Sequence, residues 1–156
     1  MGKRRARPHR EVGLDRKERV ARLVEHAKSD AYRGEIEDAD IAQPGGSPEC
    51  GGSVVIYLKG EGERIETLSF TGEGDTISMG SASILMQRVF EENLDMQQVL
   101  DLDYEGFVEE IGREVVGSRT RNATLALSAL KNAIKRYRRE ANAEASVGAN
   151  VGDACS

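Results

Sequence analysis

Cys50 is the first candidate for chemistry in this sequence. It lies in the segment Ser47–Gly52, SPECGG, where Gly51 and Gly52 have no side chains that would block the approach of an ion or a partner to the sulfur. A thiol in such a loop acts as a nucleophile or binds a soft metal when its pKa is lowered. The alternative interpretation is a surface cysteine without a role.

Asp75 and Asn122 each stand where a helix is predicted to begin. Asp75 ends the segment Thr71–Asp75, TGEGD, which is predicted to be a glycine loop, and Asn122 precedes the last apolar repeat of the chain. Both residue types are good N-caps, because a side-chain oxygen accepts a hydrogen bond from the first helical turn. Asp75 also offers a carboxylate to a metal ion on the surface that carries Cys50, whereas Asn122 is a weak neutral ligand. Capping and metal binding both stay open from the residues alone.

Other catalytic patterns are not visible in the sequence. His26 stands beside Glu25 near an apolar helical stripe and is interpreted as a boundary residue, and GEGD lacks the Lys-Ser/Thr end of a phosphate-binding loop. No Ser, His and Asp constellation and no two-histidine metal motif appears. We therefore expect that the protein is not an enzyme, and we assign no catalytic residue.

Composition excludes several classes of protein. The 156 residues suffice for one domain, and no apolar run approaches the roughly 18 residues that a transmembrane helix requires. With 3 Phe, 4 Tyr and no Trp, a protein that stacks single-stranded bases is not expected. Cys50 and Cys155 are too few for a disulfide scaffold and lack the spacing of a zinc knuckle.

The two ends differ from the middle in charge and composition. Residues 1–14 are predicted to be a basic, disordered arm, and residues 141–156 a flexible tail rich in Ala, Asn, Gly, Ser and Val. The arm has no apolar core of a secretory signal, so we expect a cytoplasmic protein. Contact between this arm and nucleic acid is the weaker hypothesis, and nucleic acid is not an expected partner.

The intervening residues 15–140 are predicted to form one α+β domain. Its small antiparallel β-sheet, of about three strands, is expected to pack against helices on one side. The predicted elements are a helix over 15–28, a strand over 36–42, a loop over 43–52, a hairpin over 54–70, a helix after Asp75, short helices over 95–100 and 104–111, and a final helix after Asn122.

Three segments of this domain resemble one protein family in the right order. They are Ser47–Gly52, Phe70–Gln87 with FTGEGDTISMGSASILMQ, and Ser118–Ile134 with SRTRNATLALSALKNAI; Leu23–Ile41 resembles the family's first helix and following loop. The chain is thereby similar over residues 19–139 to the iron-sulfur cluster assembly scaffolds of the NifU N-terminal, IscU and SufU type. The resemblance implies a cysteine desulfurase-type sulfur donor and cluster acceptor proteins as partners, and no membrane.

The resemblance also implies a set of site residues. Family members place three cysteines around one surface site; here Cys50 retains the first, Asp75 replaces the second and Asn122 the third. Gly52 replaces a nearby aspartate, and Arg121 flanks the third position. The implied metal ligands are therefore Cys50, Asp75 and Asn122, and the implied cofactor is an iron-sulfur cluster or iron, with zinc or no cofactor as alternatives.

The ligand chemistry leaves two hypotheses for the function. Clusters are held mainly by thiolates, so one thiolate and one carboxylate supply two of the four ligands that a two-iron cluster needs. The first hypothesis is an assembly protein of the scaffold-like family that binds iron, a cluster or sulfur around Cys50. The alternative is a degenerate, metal-free binding module of the same fold. Missing ligands would have to come from a second subunit, a partner or Cys155.

Overall fold

The fold is a three-stranded antiparallel sheet with helices against it. The computed structural model describes residues 14–47, 49 and 51–149, with side chains up to residue 144. The strands, in the sheet order β1-β2-β3, are β1 (Ile41–Ser47), β2 (Gly52–Glu61) and β3 (Arg64–Gly74). The helices are α1 (Arg16–Lys28), α2 (Thr76–Glu91), α3 (Met96–Leu100), α4 (Tyr104–Ile111), α5 (Arg113–Val116), α6 (Thr120–Ala123) and α7 (Leu125–Ala149). The predicted α+β class is confirmed.

The β2–β3 hairpin forms as its alternating apolar residues predict. Val54, Ile56 and Leu58 on β2 and Leu68 and Phe70 on β3 are buried, while their neighbours along each strand are more exposed. Side chains alternate between the faces of a strand, so one face of the sheet is apolar. That face packs against α2 and α7, which also contact each other.

The predicted loop over residues 43–52 is wrong for its first half, because residues up to Ser47 form strand β1. The predicted strand over 36–42 is displaced, since β1 begins at Ile41. β1 is an edge strand, where Pro44 costs little because one side of the strand has no ladder to complete. Gly45 lets α7 approach closely, since a Cβ there would lie 3.0 Å from the Ala129 Cβ. Tertiary packing therefore decides this strand.

The glycine-rich segment 71–74 continues β3 and is not the predicted loop. A Cβ on Gly74 would lie 2.7 Å from the Gly52 Cα and 2.8 Å from the Gly51 carbonyl oxygen. The missing side chain therefore allows β2 and β3 to stay paired up to their ends. As a result Asp75 stands directly at the junction between a strand and a helix.

Helices α1 and α2 pack closely through small residues. A Cβ on Gly80 would lie 2.5 Å from the Leu23 carbonyl oxygen of α1, and Ser81 and Ser83 are buried beside it. The stripe of Met79, Ala82, Met86 and Val89 faces the core as its spacing predicts. This packing orients the N-terminus of α2, where Asp75 lies.

Helix α1 begins with a capping box. Asp15 accepts a hydrogen bond from the Glu18 N–H at 2.8 Å, and the Glu18 side chain accepts from the Asp15 N–H at 2.9 Å. We expect Asp15→Ala to lower the free energy of unfolding by about 1 kcal/mol, because an N-terminal N–H loses its partner. Urea unfolding measures the change. Glu37→Ala, in an exposed loop, is the control, and an equal loss in both variants would contradict the prediction.

The C-terminal half of the chain differs from expectation at two points. Helices α3 and α4 form where predicted, but Asn122 lies inside the one-turn helix α6 and does not cap the last helix, so that capping prediction is wrong. Helix α7 continues to Ala149, into the segment predicted to be a flexible tail.

Cys50, Cys155 and the basic residues from Lys3 to Arg10 lie outside the described residues. Among the described residues no helix is long and apolar enough to cross a membrane.

Candidate functional site

Asp75 caps the N-terminus of α2, as its position in the sequence predicts. Its Oδ1 accepts a hydrogen bond from the Ser78 N–H at 2.8 Å. This bond satisfies one of the main-chain donors that every helix leaves free in its first turn. The carboxylate is therefore held at the end of α2, with 27% of the side chain exposed.

Helix α6 and its N-cap residue, Arg119, bring two side chains to this carboxylate. Arg119 forms an ion pair with Asp75 Oδ2, and Asn122 Nδ2 lies 3.4 Å from the same oxygen and 3.2 Å from the Ser78 Oγ. Residues three apart on one helical turn share a face, so Arg119 and Asn122 reach Asp75 together. The structure thus joins Asp75 and Asn122, which the sequence predicted to share a surface.

Arg119 and Ser78 are residues that the sequence interpretation missed. The resemblance placed Arg121 beside the site, but Arg121 is exposed and the guanidinium on Asp75 belongs to Arg119. In a helical turn, residues three apart lie on one face, so the spacing between Arg119 and Asn122 could have indicated that both face Asp75. The sequence pattern predicts no helical turn at this point. The spacing of three between Asp75 and Ser78 is the usual one between an N-cap and the N–H that it binds.

The chain next to Cys50 lies against the same residues, although Cys50 itself is outside the described part. The Gly51 carbonyl oxygen accepts a hydrogen bond from the Asp75 N–H at 3.2 Å. A Cβ on Gly51 would lie 2.6 Å from Asn122 Nδ2, and the φ of +100° at Gly51 also favours glycine. Gly51, the residue after Cys50 in the sequence, therefore lies against Asp75 and Asn122.

The surroundings of Asp75 keep it ionised. Partial burial raises the pKa of Asp75, but hydrogen bonds from Ser78 and the guanidinium of Arg119 lower it by more. The pKa is therefore below the ordinary value of 3.8. Near neutral pH the site contains a carboxylate whose two oxygens both accept hydrogen bonds.

This lowered pKa predicts a pH dependence of stability. A carboxyl whose pKa is lower in the folded than in the unfolded chain stabilises fully above its ordinary pKa, and the contribution disappears as the pH falls through the folded value. We expect Asp75→Asn to lose stability relative to the parent at pH 7, and to lose less relative to the parent below pH 3.8. Denaturant unfolding at both pH values measures this, with exposed Glu37→Gln as the control. An Asp75→Asn deficit that is independent of pH would contradict the prediction.

The donors at the site do not fit a resident zinc ion. Zinc takes four ligands among Cys, His and carboxylate side chains. Over residues 14–47, 49 and 51–149 no group of three or more His, Cys, Asp or Glu is arranged to hold a metal ion. Asp75 is already paired with Arg119, and Asn122 offers only a neutral amide. One thiol from Cys50 would leave such an ion short of ligands.

A second polar pair lies away from this site. His26 Nδ1 and Ser83 Oγ are 2.8 Å apart between α1 and α2, and the interpretation of His26 as a boundary residue did not foresee this contact. Burial, and then Arg22, lower the pKa of His26. Ser83 is only 2% exposed, so its hydroxyl is not presented to a substrate. The pair contributes to the packing of α1 on α2.

The architecture and the site define a class of protein. A solved structure from Fervidobacterium islandicum AW-1, assigned as an iron-sulfur cluster assembly scaffold protein for the SUF system, covers 72% of this chain and 93% of its own, with a TM-score of 0.57 at 19% identity. That likeness shows the fold of such scaffolds. The model of the family described as NifU-like N terminal domain matches residues 18–144. The chain belongs to this family, which serves iron-sulfur cluster assembly.

Curated relatives agree with this assignment. The iron-sulfur cluster assembly scaffold protein IscU of Thermotoga maritima is 29% identical over 110 residues, which is 70% of this chain and 75% of that protein. The zinc-dependent sulfurtransferase SufU of Bacillus subtilis is 31% identical over 67 residues, which is 43% of this chain and 45% of that protein. The relatives thus include both scaffolds and a protein named for an enzymatic activity.

Proposed function

We propose that this chain carries sulfur for iron-sulfur cluster assembly on Cys50, at a site lined by Asp75 and Asn122. Membership of the scaffold family supports the process. The observation that carries the site is the contact of Gly51, the residue after Cys50, with Asp75 and Asn122. The expected sulfur donor is a cysteine desulfurase-type enzyme, the recipients are cluster acceptor proteins, and the expected location is the cytoplasm.

The number of thiols favours sulfur over a cluster as the cargo. A two-iron cluster needs four ligands and takes mainly thiolates, whereas a persulfide needs a single cysteine. In the transfer, the Cys50 thiolate attacks the outer sulfur of the donor's cysteine persulfide. The new S–S bond forms on Cys50, and the S–S bond of the donor breaks to leave a thiolate there. No external oxidant is needed, because the sulfur moves between two thiols.

The test is sulfur loading in the absence of oxygen. The reduced full-length chain is incubated with a cysteine desulfurase and cysteine, and intact mass spectrometry follows the gain of one sulfur atom. We expect the parent and Cys155→Ser to gain the sulfur and Cys50→Ser to lose nearly all of the gain. Equal loading of Cys50→Ser and the parent would overturn the proposal, and Cys155→Ser is the matched control for a second thiol.

Reconstitution with iron and sulfide separates sulfur from cluster as the cargo. Under anaerobic conditions we expect the parent chain to gain no stable thiolate-to-iron charge-transfer absorption, because one thiolate cannot complete a cluster. An absorption that appears in the parent and disappears in Cys50→Ser would instead assign the cluster-binding form, in which Cys50, Asp75 and Asn122 are metal ligands.

The ion pair between Asp75 and Arg119 favours a second candidate, a metal-free binding module of the same fold. The pair satisfies the carboxylate without a metal. This candidate predicts no metal above background in protein purified without oxygen, a melting temperature unaffected by chelator, and no sulfur loading. Loading on Cys50 distinguishes the first candidate from it, and a chelator-induced fall in melting temperature contradicts it.

A further inference from the structure

We propose that Asp75, Ser78, Arg119 and Asn122 form a clamp that holds the site closed without a metal and keeps metal ions out. The clamp joins the N-terminus of α2 to helix α6, and Gly51 packs on it. The inference rests on the proposed function for the role of Cys50, but metal binding and sulfur loading are measured separately.

Both oxygens of the Asp75 carboxylate already have hydrogen-bond donors. Oδ1 of Asp75 accepts from the Ser78 N–H, and Oδ2 accepts from the Arg119 guanidinium and faces the Asn122 amide. A divalent cation on Oδ2 would replace these donors and stand beside a permanent positive charge. The guanidinium therefore holds the place beside the carboxylate where a cation would otherwise bind.

Gly52, the first residue of β2, also packs closely against the clamp. A Cβ on Gly52 would lie 2.8 Å from the Ser78 Oγ and 3.1 Å from the Ser78 Cβ, so a larger residue there would collide with the clamp. Gly52 is buried, and the family resemblance implies an aspartate at this position in other members. Glycine here supplies no carboxylate and gives Ser78 and Asn122 the room to make their hydrogen bond.

The clamp joins elements that are far apart in sequence. Asp75 and Arg119 are separated by 44 residues, and Asn122 and Ser78 also by 44. Three side-chain interactions connect α6 to α2 at the point where a bound ion would otherwise connect them. The segments of the site are therefore held together by the chain itself.

The test is a titration with Co²⁺ of the reduced full-length chain without oxygen, followed by the thiolate-to-cobalt absorption. We expect the parent to show no saturable absorption, and Asp75→Cys/Asn122→Cys to gain it with one ion per chain, because two thiolates then join Cys50. Asn122→Cys alone keeps Asp75, and adding Arg119→Ala to it should tighten cobalt binding by about tenfold, because the carboxylate is then released from the guanidinium and can bind the ion together with the two thiolates. Adding Arg121→Ala instead is the matched control and should change the affinity little.

Two outcomes would overturn the clamp. One is saturable Co²⁺ absorption in the parent that Asp75→Ala abolishes. The other is equal cobalt affinity with Arg119→Ala and with Arg121→Ala.

If the cysteine variants do not fold, as circular dichroism would show, the melting temperature of Arg119→Ala in the parent chain tests the clamp. We expect its melting temperature to fall by about 1–3 °C relative to Arg121→Ala, a small shift because Arg119 is 57% exposed. An unchanged melting temperature would then count against the clamp.

Discussion

Gly52→Asp should destabilise the protein by about 2 kcal/mol or more. A Cβ at Gly52 already falls within 2.8 Å of the Ser78 Oγ and 3.4 Å of the Glu73 carbonyl oxygen. Gly52 is buried, so the new carboxylate would also be desolvated and would stand close to the Asp75 carboxylate. Steric overlap and charge therefore act in the same direction.

Urea unfolding of three variants separates these two causes. Gly52→Ala adds only the Cβ and should lose less stability than Gly52→Asp. Ser78→Ala in the Gly52→Asp chain removes the colliding hydroxyl and should recover part of the loss. If Gly52→Asp were as stable as the parent, the close approach of Gly52 to Ser78 would not exist in solution.

Gly80→Ala should destabilise the protein by about 1–3 kcal/mol, even though alanine is the better helix former. The added methyl would lie 2.5 Å from the Leu23 carbonyl oxygen and 2.6 Å from the Leu23 Cδ1. The carbonyl belongs to the main chain of α1 and cannot rotate away as a side chain does. Helices α1 and α2 would therefore have to separate.

Gly106→Ala is the matched control for this packing effect. Gly106 lies in the first turn of α4, where the nearest atom to an added Cβ is the Asp103 Oδ2 at 3.5 Å. We expect this substitution to raise stability by up to about 1 kcal/mol, because only the helix propensity changes. Thermal and urea unfolding should thus give opposite signs for the two variants, and equal signs would contradict the close packing of α1 on α2.

The hairpin and the long helices could be predicted because their signals are local. The alternation of Val54, Ile56 and Leu58 and the helical spacing of Met79, Ala82 and Met86 are each contained within one element. A repeat of this kind is satisfied by any apolar partner, so the element forms regardless of which neighbour covers it. The order of the three family-like segments likewise needs no three-dimensional information.

Strand β1 could not be predicted, because its sequence contains a proline and two glycines that ordinarily break a strand. Pro44 is tolerated at the free edge of the sheet, and Gly45 is needed for the approach of Ala129 on α7. Both reasons depend on neighbours that are distant in sequence. Asn122 was misplaced for a related reason, since the single turn of α6 has no periodic pattern to reveal it.

The amino-acid sequence alone supports the α+β class and the resemblance to the scaffold family, and it places Cys50 in one of the segments that carry this resemblance. These conclusions follow from residue types and spacing, which do not depend on how the elements pack. The tertiary structure determines which cation pairs with Asp75. The partner is Arg119, which is 44 residues away in sequence, and not Arg121. Coulombic and hydrogen-bond energies depend on distance in space, so only the packing of α6 against α2 could select that partner.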